Sequence, residues 1–226
     1  MKDEKYGHKG TAKIIGILYI IGTIAGALSA QFLKVKNAPD YLSQIAENPG
    51  SLETGAVLTL VMAFALALIP VFAFPVLRKY SEPAAVGYIV FRGALETCTY
   101  IIGAVCCFAL SALGAAYAAG TDASSLLGVS ESLKAVMDAP LTAFAFGIGA
   151  LIFYTALCKY RLIPRWISGF GIVAALLHMA SGALVLAGLQ LSFDAGSLAM
   201  NLPLAVQEMV MAGWLIVKGF RLTGAG

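Results

Sequence analysis

Charged residues are scarce in this chain. They make up 12% of its 226 residues, while 60% are hydrophobic, and the mean hydropathy is +0.86. A water-soluble domain of this length cannot bury so much apolar surface in one core, so the composition predicts an integral membrane protein whose partner is the lipid bilayer. The formal charge of +3 is small. The chain also lacks a basic stripe with interleaved aromatic residues, so we expect no nucleic-acid partner.

Histidine and cysteine are also few. The chain has two histidines and four cysteines, and it contains no CxxC, CxxCH or HExxH motif. The cysteines fall in or beside apolar segments, where they pack as small hydrophobic residues. No phosphate-binding loop or dinucleotide fingerprint is present. The sequence therefore predicts no metal site and no catalytic residue, and it identifies no cofactor.

Long apolar runs are what the sequence has in abundance. A helix needs about 20 apolar residues to cross a bilayer. Six segments meet this length, at about 14–33, 54–77, 84–118, 135–158, 166–189 and 202–217. The first follows a basic start, but its uncharged run exceeds the roughly 7–15 residues of a signal-peptide core, so we expect a retained helix. The prediction is an all-α polytopic bundle of six transmembrane helices in a single domain, 1–226.

Lysine and arginine alternate between the two ends of these helices. Loops rich in these residues stay in the cytoplasm, so the ends with more of them should be cytoplasmic. Both termini belong to this larger set, and we therefore expect both to be cytoplasmic. That set is Lys2, Lys5, Lys9, Lys13, Arg78, Lys79, Lys159, Arg161, Arg165, Lys218 and Arg221. The opposite ends carry only Lys34, Lys36 and Lys134. We expect a multi-pass protein of a prokaryotic plasma membrane.

Several local signals predict where helices begin. Ser51, Ser81 and Asn201 are candidate N-caps before the second, third and sixth helices. In the first external loop, Pro39 to Glu47 predicts a short helix with three apolar side chains on one face.

Two glycines on the first helix, Gly22 and Gly26, form a GxxxG motif that lets another backbone approach closely. The sequence leaves open whether they pack within the chain or join copies in a homo-oligomer.

Two stretches of the sequence have a familiar pattern. They are YRLIPRWISGFGIVAALLHMASGAL from residue 160 and LPLAVQEMVMAGWLIVKGF from residue 202. With the basic start before GILYIIGTIAGALSA, and with Phe91, Arg92 and Glu96 in the third helix, the whole chain resembles the membrane family DUF4386, a domain of unknown function. The resemblance implies membership and a membrane fold, and it carries over no activity or catalytic residue.

Four ionisable residues fall inside the apolar segments: Arg92, Glu96, His178 and Glu208. Such side chains cost roughly 2.5–3.5 kcal/mol at the bilayer centre, so they usually face the bundle interior and find a partner. Arg92 and Glu96 are four residues apart on one helix face, at ion-pair spacing. Counted from Ala84, Glu96 lies about 18 Å deep, near the midplane. Counted from Ala118, it lies at the cytoplasmic interface.

The first depth count places His178 and Glu208 at a similar level. The four groups then predict one buried polar cluster that binds, or passes, a small ion or a polar or lipid-like ligand. Two alternatives stay open. One is a membrane-embedded enzyme that uses the histidine and the glutamates, and the other is a purely structural or partner-binding membrane protein.

Overall fold

The computed structural model describes residues 9–190 and 195–221, and within those ranges the chain is helical and has no strand. Lys2 and Lys5 of the orientation argument lie outside the described residues. The α-helices are α1 (Lys9–Phe32), α2 (Tyr41–Glu47), α3 (Pro49–Leu77), α4 (Glu82–Tyr88), α5 (Glu96–Ala118), α6 (Ala123–Asp138), α7 (Leu141–Lys159), α8 (Arg165–Leu186) and α9 (Ala195–Val217). A 3₁₀ turn, Leu33–Asn37, follows α1, and a π-helical segment, Ile89–Leu95, joins α4 to α5.

Six helical stretches among the described residues are long and apolar enough to cross a bilayer. They are Lys9–Asn37, Pro49–Leu77, Glu82–Ala118, Ala123–Lys159, Arg165–Leu186 and Ala195–Val217. The prediction of an all-α bundle with six membrane helices is confirmed. The chain is a multi-pass membrane protein.

The structure tests the predicted helix starts one by one. Ser81 caps α4, where its side chain accepts a hydrogen bond from the backbone N–H of Ala84. The caps predicted at Ser51 and Asn201 are wrong, because α3 already begins at Pro49 and α9 at Ala195. Both residues therefore lie inside helices.

The region predicted as one helix from 135 to 158 contains a break. The structure has α6 and α7 on either side of Ala139 and Pro140, and Ala139 has an extended backbone with φ −62° and ψ 132°. Proline disfavours the helical conformation in the residue before it, which explains why α6 ends there.

The chain folds as two compact units, which we describe separately. Unit 1 comprises residues 1–21, 64–97 and 140–226, and unit 2 comprises 22–63 and 98–139. In unit 1, α7 packs against α8, against α4 and against the π-helical segment, and α8 packs against α9. All four ionisable residues identified in the sequence belong to unit 1.

Unit 2 has its own core, built around the short helix α2. The predicted helix in the first loop is confirmed, and its residues Tyr41, Leu42 and Ile45 are buried together. Burial raises the pKa of Tyr41, whose hydroxyl is hydrogen-bonded to Ser130 of α6 at 2.6 Å. Lys36 forms an ion pair with Asp138 at 2.5 Å. These contacts hold α2 and the 3₁₀ turn that precedes it against α6.

Gly26 of the GxxxG motif packs within its own chain. A Cβ atom added there would lie 2.6 Å from the sulfur of Met62 on α3. The close approach allowed by this glycine is therefore used inside unit 2. Homo-oligomer formation through Gly22 and Gly26 stays a prediction.

Candidate functional site

The π-helical segment determines the position of Arg92. It widens the helix for one turn between α4 and α5, a distortion often found at functional sites. Small residues allow neighbouring helices to approach it. A Cβ atom added at Gly149 of α7 would lie 3.1 Å from the backbone nitrogen of Arg92, and one added at Gly93 would lie 3.2 Å from Pro70 of α3. The segment is therefore enclosed by α3 and α7.

Arg92 joins two carboxylates, and we call Arg92, Glu96 and Glu208 the ion cluster. Arg92 Nη1 donates to both oxygens of Glu96 at 3.1 Å, and Arg92 Nη2 donates to Glu208 Oε1 at 3.1 Å. The side chains of Arg92 and Glu96 are 2% and 1% exposed, and that of Glu208 is 12% exposed. The interior of unit 1 thus contains one guanidinium group in direct contact with two carboxyl groups.

Aromatic rings cover the guanidinium group of Arg92. Its carbon atom lies 4.5 Å from the centre of the Phe146 ring and 5.8 Å from that of Tyr19. Both distances fit cation–π contacts, which strengthen when water is excluded. The hydroxyl groups of Tyr19 and Tyr88 are hydrogen-bonded at 3.1 Å, and the Tyr88 ring stacks on Phe153 with centroids 4.3 Å apart.

The space beside the ion cluster is narrow. Empty space of about 140 Å³ lies between the residues that line it, and none of that space within the described structure is wide enough for a water molecule. The lining residues are Tyr19, Tyr88, Arg92, Phe146, Ala150, Phe153 and Tyr154. Arg92 Nε has no hydrogen-bond partner among the described residues. The space beside Arg92 therefore has no room for a bulky ligand in this conformation.

His178 lies apart from the other three predicted residues. Its ring meets the Phe146 ring edge-on, with centroids 5.1 Å apart, and Phe146 in turn covers Arg92. His178 Nδ1 is hydrogen-bonded to Asn201 Oδ1 at 2.7 Å. The structure thus brings Arg92, Glu96 and Glu208 together, and the Phe146 ring contacts both Arg92 and the imidazole of His178.

Some residues of the site were not predicted from the sequence. Tyr88 precedes Arg92 by four residues, as Arg92 precedes Glu96, so their common spacing was an available signal. Gln207, next to Glu208, is fully buried and donates from Nε2 to the carbonyl oxygen of Ile167 at 3.3 Å. Tyr19 and Phe146 gave no signal, because an aromatic residue in a membrane helix is usually a packing residue.

The ion cluster contains two carboxyl groups that share one guanidinium group. In the part of the chain that the structure describes, no group of three or more His, Cys, Asp or Glu side chains is arranged to hold a metal ion. Two carboxylates that share one guanidinium can change charge only by gaining or losing a proton.

Comparison with known proteins gives one match. The model of a family described as "Domain of unknown function (DUF4386)" matches residues 14–219. No curated protein and no solved structure matches the chain.

Proposed function

Because the chain belongs to the DUF4386 family, whose function is unknown, we propose its function from the ion cluster: it is a multi-pass membrane protein that reversibly binds a proton at Glu208. The observation that carries this proposal is the contact of one buried guanidinium with two carboxylates. The sequence analysis predicted a small ion as one possible ligand, and the proposal specifies that this ion is a proton.

The argument begins with charge. With both carboxylates ionised, the ion cluster carries one more negative than positive group. An ionised carboxylate is expensive to hold away from water unless it is paired, and one guanidinium pairs fully with only one carboxylate. A proton on one carboxyl group removes the excess charge. Protonation is therefore the least costly way to neutralise the cluster.

The two carboxyl groups differ in how well they are paired. Glu96 accepts from Arg92 through both oxygens, whereas Glu208 accepts through Oε1. Hydrogen bonds to the charged form favour ionisation, so Glu96 is the better-stabilised carboxylate. Glu208 is also the more exposed, at 12%. We therefore assign the proton to Glu208, where it can exchange.

The size of the site supports a proton over a larger ligand. The empty space beside Arg92 does not admit a water molecule within the described structure. A hydrated cation or a lipid head group would need the surrounding rings to move apart, whereas a proton needs no added volume.

The distribution of basic residues supports a location and an orientation for this proton site. Unit 1 contains Arg78, Lys79 and the stretch from Lys159 to Arg165, and we assign these loops to the cytoplasm. Both termini are then cytoplasmic, in a prokaryotic plasma membrane.

A second candidate function is purely structural, and the closure of the cluster favours it. The rings over Arg92 and its contact with Glu208 would also serve as an anchor between helices. In that case Glu208 keeps one charge state across the pH range in which the protein is folded. The enzyme alternative has no comparable support.

The test is infrared difference spectroscopy of the protein in lipid nanodiscs during a change of pH. A protonated carboxyl group in an apolar site has a C=O stretching band that a carboxylate lacks. We expect a band that appears as the pH falls, is lost in Glu208→Gln and persists in the control Glu82→Gln, since Glu82 is exposed at the start of α4. A band that persists in Glu208→Gln would refute the assignment.

A further inference from the structure

A second polar feature of unit 1 lies between α8 and α9. Five neutral side chains form it, and we call them the polar seam: Gln190, Ser181, Ser197, Asn201 and His178. All five belong to unit 1. The seam is distinct from the ion cluster, since its members carry no permanent charge and are hydrogen-bonded to one another.

The polar seam is continuous. Gln190 Nε2 donates to Ser181 Oγ at 3.3 Å, and Ser181 Oγ lies 3.3 Å from Ser197 Oγ. Asn201 Nδ2 donates to Ser197 Oγ at 3.2 Å, and Asn201 Oδ1 lies 2.7 Å from His178 Nδ1. Because Oδ1 is the acceptor of the amide, His178 donates from Nδ1–H, and the neutral imidazole keeps its lone pair on Nε2.

The seam runs along the two helices. His178 and Ser181 are three residues apart on α8, and Ser197 and Asn201 are four residues apart on α9, so each pair shares one helix face. His178 precedes the end of α8 at Leu186 by about 12 Å of helix. Gln190 lies shortly after that end. The seam therefore extends from the connection between the helices into the span.

Phe146 connects the seam to the ion cluster. Its ring contacts both His178 and the guanidinium of Arg92. One aromatic side chain thus touches the last polar residue of the seam and the central residue of the ion cluster.

The exposure of the seam differs along its length. Ser181 and Ser197 in the middle are each 2% exposed, whereas Gln190, Asn201 and His178 are partly exposed. A hydrogen bond between membrane helices contributes about 0.6 kcal/mol on average, and helices associate without such a long series of them. A row of polar groups along the axis offers water successive hydrogen-bond partners at every step.

We propose that the polar seam is the path by which water enters from the α8–α9 connection as far as His178, and that the Phe146 ring is the barrier before the ion cluster. This inference rests on the proposed function, because that water would deliver and remove the proton of Glu208. Water is the carrier, since the amide of Asn201 is a poor proton relay.

The experiment is hydroxyl-radical footprinting, whose probe has the size of water. The four native cysteines are replaced by alanine, and single cysteines are introduced as Ser181→Cys and Ser197→Cys, which nearly preserve side-chain size. The matched controls are Leu198→Cys and Leu202→Cys, at exposed positions of α9, the helix that carries Ser197. Oxidation of each cysteine is measured by mass spectrometry of the protein in nanodiscs.

We expect cysteines in the seam to oxidise at least an order of magnitude faster than the two controls. Equal rates at seam and control positions, or protection of both serine positions, would overturn the proposal. If the serine variants do not fold, the unmodified protein supplies the readout: His178 is oxidised if the seam is wet and protected if it is dry.

The outcome can be separated from that of the proton assignment. Footprinting detects water whether or not Glu208 binds a proton, and the infrared band detects the proton whether or not the seam is wet. A wet seam in a protein without the Glu208 band would keep the water path and remove the proton site.

Discussion

Arg92 makes its contacts through the fork geometry of its guanidinium group. Two different nitrogen atoms reach Glu96 and Glu208, and the planar group lies over the ring of Phe146. Lysine has one nitrogen at the end of a flexible chain and cannot reproduce this arrangement. The positive charge alone therefore does not explain why this position has an arginine and not a lysine.

We predict that Arg92→Lys destabilises the protein even though the charge is kept. The loss should be about 1.5–3 kcal/mol, the usual contribution of a hydrogen bond to a charged group. The measurement is unfolding in mixed micelles with increasing SDS. The control is Arg78→Lys, at an exposed arginine that lies 6.0 Å from the ring of Phe74. Equal stability of the two variants would contradict the prediction.

Sequence spacing predicts part of the ion cluster. The separation of four residues between Arg92 and Glu96 predicts their ion pair, which is confirmed at 3.1 Å. The contact with Glu208 spans 116 residues of sequence, so helix spacing alone could not establish it. His178 shows the limit of depth counting. A similar depth in the bilayer does not tell which way a side chain points, and His178 is hydrogen-bonded to Asn201 instead of to a residue of the ion cluster.

At the scale of elements, the π-helical segment depends on the close approach of α7. Gly149 lies against the backbone of Arg92, and an added Cβ atom would also lie 3.3 Å from Phe91 Cβ. Neither neighbour can move without shifting the helix that carries the ion cluster. A Cβ atom added at Gly213 on α9 would have no other atom within 4 Å.

Replacing Gly149 and Gly213 by alanine should therefore have different effects on the stability of the protein. We expect Gly149→Ala to destabilise the protein by about 1–3 kcal/mol through overpacking. Gly213→Ala should leave the stability unchanged or raise it by up to about 1 kcal/mol, because alanine is the better helix former. Thermal unfolding of both variants in one detergent measures the difference. A stable Gly149→Ala protein would show that α7 does not constrain the segment.

The elements were predictable to different degrees. Hydrophobic length predicts the six spans, and the apolar pattern with Pro39 predicts α2. The π-helical segment has no signal of this kind, because one residue more in a helical turn leaves the apolar run unchanged. The wrong caps at Ser51 and Asn201 have a related cause. A polar residue inside a membrane helix and a polar residue before it look alike in sequence.

At the scale of the whole molecule, the ion cluster links distant parts of the chain. The π-helical segment that carries Arg92 contacts α3 and α7, and Glu208 belongs to α9. Composition and basic-residue distribution were enough to predict the membrane class, and they say nothing about this link. The interaction energy between Arg92 and Glu208 should depend on whether Glu208 carries a charge.

The most direct test of this account is a double-mutant cycle between Arg92→Gln and Glu208→Gln, measured by SDS unfolding at an acidic and an alkaline pH. A charged Glu208 attracts the guanidinium more strongly than a protonated one, so the interaction energy should be larger at alkaline pH. Contacting residues usually give about 0.5–3 kcal/mol, and we expect the alkaline value in that range and the acidic value below it. Additive effects at both pH values, or an interaction energy that does not change with pH, would contradict a proton-binding cluster.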